Sequence, residues 1–150
     1  MSRVDEWSYE REWFEEQNIS KVIRNYLDTN NYHIIKYNEN KRARGYDIIA
    51  EKDGRKLIVE VKGFPSDKYV RGPKKGQKKP TSPNLQAKHW FSEALLSLII
   101  AKSENPEISI SLGLPNIAKY KELLSKIEYF RQKFDLKCYL VDSNQIVEII

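Results

Sequence analysis

Between Ser8 and about Asn30 the apolar residues Trp13, Phe14, Ile19, Val22, Ile23, Tyr26 and Leu27 recur largely at three- and four-residue spacing. That spacing predicts one long amphipathic helix, with Asn18 the one place where it could be broken, ended by Asn30-Asn31. Tyr32 to Tyr37 is short and rich in aromatic and β-branched residues, as a strand is, and a polar connection follows to Gly45. Tyr46 to Glu51 and Lys56 to Lys62 then flank Asp53-Gly54, a dipeptide suited to a two-residue hairpin turn. The stretch 63–83 holds four of the six prolines and three of the six glycines, and it reads as a long basic loop from which no core can form. Ser82-Pro83 has the form of an N-cap and first helical residue, opening a helix to about Ser103 with Leu85, Phe91, Ala94, Leu95, Leu98 and Ile99 inward. Ile108 to Leu114 alternates as a strand does. Pro115-Asn116 leads into a helix to about Phe134, Lys137 to Val141 is a further strand, and Ile146 to Ile150 is a candidate for one more. The predicted order is α-β-β-β-α-β plus a C-terminal α-β, an α/β fold with a mixed central β-sheet flanked by helices.

Length and composition narrow the class. The 150 residues, 40% of them apolar, suit one soluble domain spanning 1–150. The longest apolar runs, Ala94 to Leu96 and Leu98 to Ala101, fall far short of the roughly 20 residues of a membrane span, so no membrane partner is expected. The first residues lack the apolar stretch of a signal peptide and Cys138 has no disulfide partner, which together predict a cytoplasmic protein. Charge is uneven. Residues 41–89 carry 14 Lys and Arg against 5 Asp and Glu, while the rest of the chain is slightly acidic. A solvated basic surface would account for this, and so would an anionic partner.

The hairpin carries the chemistry. With Asp53-Gly54 as the turn, Lys52 faces Arg55, and the register pairs Tyr46 with Val61, Ile48 with Val59 and Ala50 with Leu57 on an apolar face. The other face pairs Glu51 with Lys56, Ile49 with Ile58, Asp47 with Glu60 and Gly45 with Lys62. Two carboxylates so placed have Cβ atoms about 4.5–5.5 Å apart, an arrangement that destabilises unless a cation lies between them. Lys62 projects from the same face, about 7 Å along the strand from Glu60. Two acids and a lysine suit Mg²⁺, with Mn²⁺ as an alternative, because a hard divalent ion takes one or two carboxylates and leaves its other positions to water and phosphate oxygens. The metal would polarise a phosphodiester and acidify a bound water, with Lys62 orienting that water or offsetting charge on the phosphate. The structural alternative is a pair of solvated strand-end acids neutralised by Lys62.

Gly45-Tyr46-Asp47-Ile48-Ile49-Ala50 followed by Leu57-Ile58-Val59-Glu60-Val61-Lys62-Gly63 resembles the signature of the PD-(D/E)XK nuclease superfamily, which includes restriction endonucleases and Holliday-junction resolvases. The likeness extends over roughly residues 10–115, with Tyr46 where proline is usual. It implies a restriction-endonuclease-like core in which Asp47 and Glu60 bind Mg²⁺ and Lys62 assists the attacking water. Many members place a glutamate on the first helix; the corresponding place here holds Ser20, and Glu16, one turn earlier, is the nearest acid on that face. Gln86-Ala87-Lys88-His89-Trp90 resembles the Gln-x-x-x-Tyr segment of some of these nucleases. This implies a site role for Gln86, at a scissile-phosphate oxygen or a metal-bound water, and phosphate contacts for Lys88 and His89. In the basic loop, Lys68, Arg71, Lys74, Lys75, Lys78 and Lys79 are candidate DNA-backbone contacts. His33 is expected to be structural.

The expectation is a Mg²⁺-dependent DNA endonuclease of repair, recombination or restriction. Two alternatives come from other classes: a catalytically silent nucleic-acid-binding module of the same fold, and a protein-interaction domain whose basic loop meets an acidic partner. The sequence leaves open the DNA structure cut and whether the chain pairs as a homodimer.

Overall fold

The computed structural model describes residues 13–38, 45–66 and 72–150. Helix α1 (Glu16–Thr29) leads into strand β1 (His33–Tyr37), the hairpin β2 (Ile48–Lys52) and β3 (Arg55–Val61), and helix α2 (Pro83–Glu104). Strand β4 (Ser109–Pro115), helices α3 (Ala118–Lys126) and α4 (Glu128–Lys133), and strands β5 (Lys137–Val141) and β6 (Val147–Ile149) complete the order. The six strands of the described residues join one sheet in sequence order, β1-β2-β3-β4-β5-β6. The β3–β4 and β4–β5 pairs are parallel and the others antiparallel, so the sheet is mixed, as expected.

Each face of the sheet carries its own core. On one face α1 buries Ile19, Val22, Ile23 and Leu27 against Ile48, Ala50, Leu57, Val59 and Val61. On the other, α2 buries Ala87, Phe91, Ala94, Leu98 and Ala101 against Ile58, Ile110, Leu112 and Leu114. Both parallel crossovers pass over the α2 face, where Tyr120, Leu123 and Leu124 of α3 join the same core, and α1, ahead of β1, covers the other face.

The hairpin register is the expected one from Lys52↔Arg55 through Ile48↔Val59. Asp53 and Gly54 both have positive φ, as a tight two-residue turn requires. Beyond Ile48 the register expectation fails in two places. Tyr46 packs with the α2-side core instead of beside Val61, because the regular ladder stops at Ile48 and the Asp47 carboxylate, not a backbone carbonyl, takes the Val61 N–H. Gly45 does not open space beside Lys62 either; it turns with φ +96° toward Lys36 of β1, whose amine lies where a Cβ would project.

Other boundaries shift for local reasons. The first helix begins at Glu16 after the turn Trp13–Glu15, and any part of it within 1–12 lies outside the described residues. Ser82 caps α2 as expected, its Oγ accepting from the Leu85 N–H at 3.3 Å, with Pro83 in the first turn. Leu85 and Ile99, expected inside, are 49% and 36% exposed, and Ala87 and Ala101 take the buried positions. The helix expected from 116 to 134 is two helices, broken at Ile127 (φ −112°, ψ 24°). The stretch 63–83 is not wholly peripheral: Gly63 and Pro65 are buried, and the Phe64 ring meets Tyr120 edge-on at 5.8 Å.

Candidate functional site

The end of the hairpin away from its turn brings the two acids together. Where β2 starts, Asp47 leans onto β3, and its Oδ2 accepts from the Val61 N–H at 2.7 Å. Glu60 reciprocates, its Oε1 accepting from the Asp47 N–H at 3.4 Å. Both carboxyls are partly buried, because Glu60 stands on the sheet face that α2 covers. Burial is the largest influence pushing the Glu60 carboxyl up to about 7; Asp47 and Glu16 add to the rise, and the Asp47 amide and Lys62 oppose it. Asp47 is raised as well, again by burial first, with the Val61 amide and Lys62 holding it down.

Lys62 follows β3 by one residue and its N–H still donates to Gly113 O at 3.0 Å, so its backbone continues the ladder to β4. The Lys62 ammonium lies 3.9 Å from Glu93 Oε2, across on α2. Nothing in the sequence marked Glu93 as Lys62's neighbour, since the two lie 31 residues apart on different elements. Tyr120 was missed altogether as a polar residue. It is fully buried and its hydroxyl donates to Gly63 O at 2.6 Å, next to Lys62.

Glu16 opens α1 close enough to raise the pKa of both Glu60 and Tyr120. Ser20 stands one turn on, buried, with no hydrogen-bond partner for its Oγ among the described residues. Gln86 lies in the first turn of α2 with a buried Oε1 that has no partner among the described residues. It lies two helical turns, about 10 Å along the axis, from Glu93. Lys88 and His89 are exposed on α2, and Lys74, Lys75 and Lys78 are exposed in the turns before it, with Lys79 half-exposed. Lys68 and Arg71 lie outside the described residues. His33 sits exposed on edge strand β1, and Cys138 is buried in β5, its thiol pushed up by the surrounding apolar core.

Among the described residues no three His, Cys, Asp or Glu side chains cluster as a ready-made metal site. The donor set of Asp47 and Glu60 nevertheless fits a Mg²⁺-type ion. Both offer hard oxygens, they repel one another when charged, and such an ion needs no more than one or two protein carboxylates.

Two solved structures resemble the chain. An XisH family protein from Nostoc punctiforme PCC 73102 is 18% identical, with 90% of this chain and 98% of that one covered at a TM-score of 0.49. A fdxN element excision controlling factor protein from Anabaena variabilis is 19% identical, with 87% and 96% covered at a TM-score of 0.50. The second likeness is one of fold, the α/β arrangement of a mixed sheet flanked by helices. No family model matches the chain and no curated protein does. No helix among the described residues is long and apolar enough to cross a membrane.

Proposed function

We propose that the protein is a Mg²⁺-dependent nuclease of the PD-(D/E)XK type that hydrolyses DNA phosphodiesters. The observation that carries this reading is the Asp47–Glu60 pair: two carboxyls forced together under α2, one with its pKa near 7, with Lys62 on the same strand. A divalent ion between them would remove the repulsion and bring its own water and a phosphate oxygen into reach. In this reading Asp47 and Glu60 hold the ion, and Lys62 orients the attacking water or meets charge growing on the phosphate. Glu16 anchors water on the α1 side, and Gln86, Lys88 and His89 line the approach along α2. A protein of similar fold is named a fdxN element excision controlling factor, a name that agrees with a DNA substrate. The exposed lysines before α2, with Lys68 and Arg71, would grip the backbone.

The test is cleavage of supercoiled, linear, single-stranded and branched DNA with Mg²⁺, Mn²⁺ or chelator. Asp47→Asn, Glu60→Gln and Lys62→Met should each lower the rate at least a hundredfold while the fold is kept. Full activity in any of the three removes that residue from the mechanism. A second reading, a DNA-binding module without turnover, draws on Lys62 being engaged by Glu93 and on Ser20 in the glutamate's place. Salt-sensitive DNA binding with no metal-dependent cleavage would favour it.

A further inference from the structure

Three distant parts of the chain meet at Gly63, and we propose that Tyr120 is a positioning residue: by holding the Gly63 carbonyl it fixes Lys62 and the start of α1 relative to the Asp47–Glu60 pair. Its role in catalysis rests on the nuclease reading above; the contacts themselves do not. The Tyr120 hydroxyl donates to Gly63 O at 2.6 Å. The next residue, Phe64, donates its N–H to Phe14 O at 2.9 Å, which ties the strand end to the turn that opens α1. Gly63 is pressed so closely on that turn that a Cβ would lie 2.5 Å from Glu16 N and 2.6 Å from Phe14 O. On the other side, Lys62 N–H donates to Gly113 O of β4 at 3.0 Å. Residues 62–64 are therefore gripped by β4, α1 and α3 at once.

The ring and the hydroxyl of Tyr120 have separable tasks. The ring packs edge-on to Phe64 at 5.8 Å and stacks with Phe91 at 6.3 Å, so it belongs to the core. The hydroxyl answers a backbone problem. Past Val61 the chain leaves the sheet while still buried, and the Gly63 carbonyl needs a donor that no neighbouring strand supplies. Lys62 leaves the backbone between its β4 bond and this anchored carbonyl, and Glu16 is the first residue of the helix docked against the same glycine. Loosening the anchor frees both side chains, and catalytic geometry tolerates little drift.

Tyr120→Phe in the full chain tests the idea, because it keeps the ring and deletes only the donor. Leu124→Val, trimming the buried face of the same helix, is the control for general loosening. Three quantities are read: hydrogen exchange at the Phe64 amide, Tm, and kcat and KM on duplex DNA with Mn²⁺. In Tyr120→Phe the Phe64 amide should exchange at least tenfold faster and kcat should fall about tenfold, with KM within twofold of wild type. Leu124→Val, at an equal or larger loss of Tm, should keep its kcat. An unchanged kcat, unchanged Phe64 protection, or an equal fall of kcat in Leu124→Val overturns the proposal. If the wild-type protein cleaves no DNA with any divalent ion, the nuclease reading fails by itself. The anchor is then judged on exchange alone, and unchanged Phe64 protection in Tyr120→Phe sinks it.

Discussion

Burial and the neighbouring Asp47 both oppose ionisation of Glu60, and the sign of that effect sets how stability depends on pH. A carboxyl with a folded-state pKa near 7 and an unfolded value near 4.5 holds its proton more tightly when folded. Its contribution to stability is therefore complete below about pH 4.5 and is lost as pH rises through 7. Replacing Glu60 by Gln removes the charged state while keeping an oxygen for the Asp47 N–H. Without metal, Glu60→Gln should match wild type in denaturant melts below about pH 4.5, exceed it by an amount that grows from there to about pH 7, and hold that lead at higher pH. A difference that does not vary with pH would mean the pair is not strained by charge. At this scale the acid pair was legible beforehand, since Asp53-Gly54 set the register and the register set Asp47 against Glu60. The bond between Tyr120 and Gly63 was not legible, because it joins residues 57 apart that share no periodic pattern.

Among the elements, the junction between β3 and α1 makes the sharpest demand on sequence. A Cβ at Gly63 would meet backbone atoms, Glu16 N and Phe14 O, which cannot swing aside, whereas at Gly113 it would meet the Ile23 Cδ1 and Val61 Cγ2 side-chain ends. Overpacking of a core costs about 1–3 kcal/mol, more where the obstruction is backbone. Gly63→Ala should therefore lose at least twice the stability that Gly113→Ala loses in urea melts; equal losses would mean that α1 can shift away from the strand. Helix α2 shows where reading the sequence failed at this scale. Leu85, Leu95, Leu96, Leu98, Ile99 and Ile100 surround the helix, so periodicity found the centre of the buried face at Phe91, Ala94 and Leu98 but misplaced its edges, taking Leu85 and Ile99 where Ala87 and Ala101 pack. Where the cue was chemical instead of periodic, at Ser82-Pro83, the boundary came out where expected.

For the whole molecule, the charge distribution becomes a direction. Residues 41–89 carry the excess of Lys and Arg, and the connection from β3 to α2 starts beside Lys62, so exposed Lys74, Lys75 and Lys78 belong to the crossover that leaves the candidate site. Each cation meeting a duplex phosphate steepens the dependence of log K on log salt by about 0.9. Changing Lys74, Lys75, Lys78 and Lys79 together to Ser should flatten that slope by roughly 2 to 3.5, with cleavage recovered at low salt. An unchanged slope would assign the loop to something other than the DNA backbone. The mixed sheet was readable from element order alone. Its linear strand sequence was not, because nothing local says which strand a crossover returns beside.

Asp47 and Glu60 are joined by a single tight hairpin, whereas Glu93 and Tyr120 reach the same place only through the helices of the two parallel crossovers, and Glu16 only when α1 docks on the finished strands. In time, this separates two events. A hairpin closes in about 1–10 μs, and parallel pairing between distant strands comes much later. The carboxylates, with Lys62 two residues beyond Glu60, thus face one another in a partly folded chain before Glu16, Glu93 and Tyr120 have arrived, and an ion captured there would help to shape the rest of the protein.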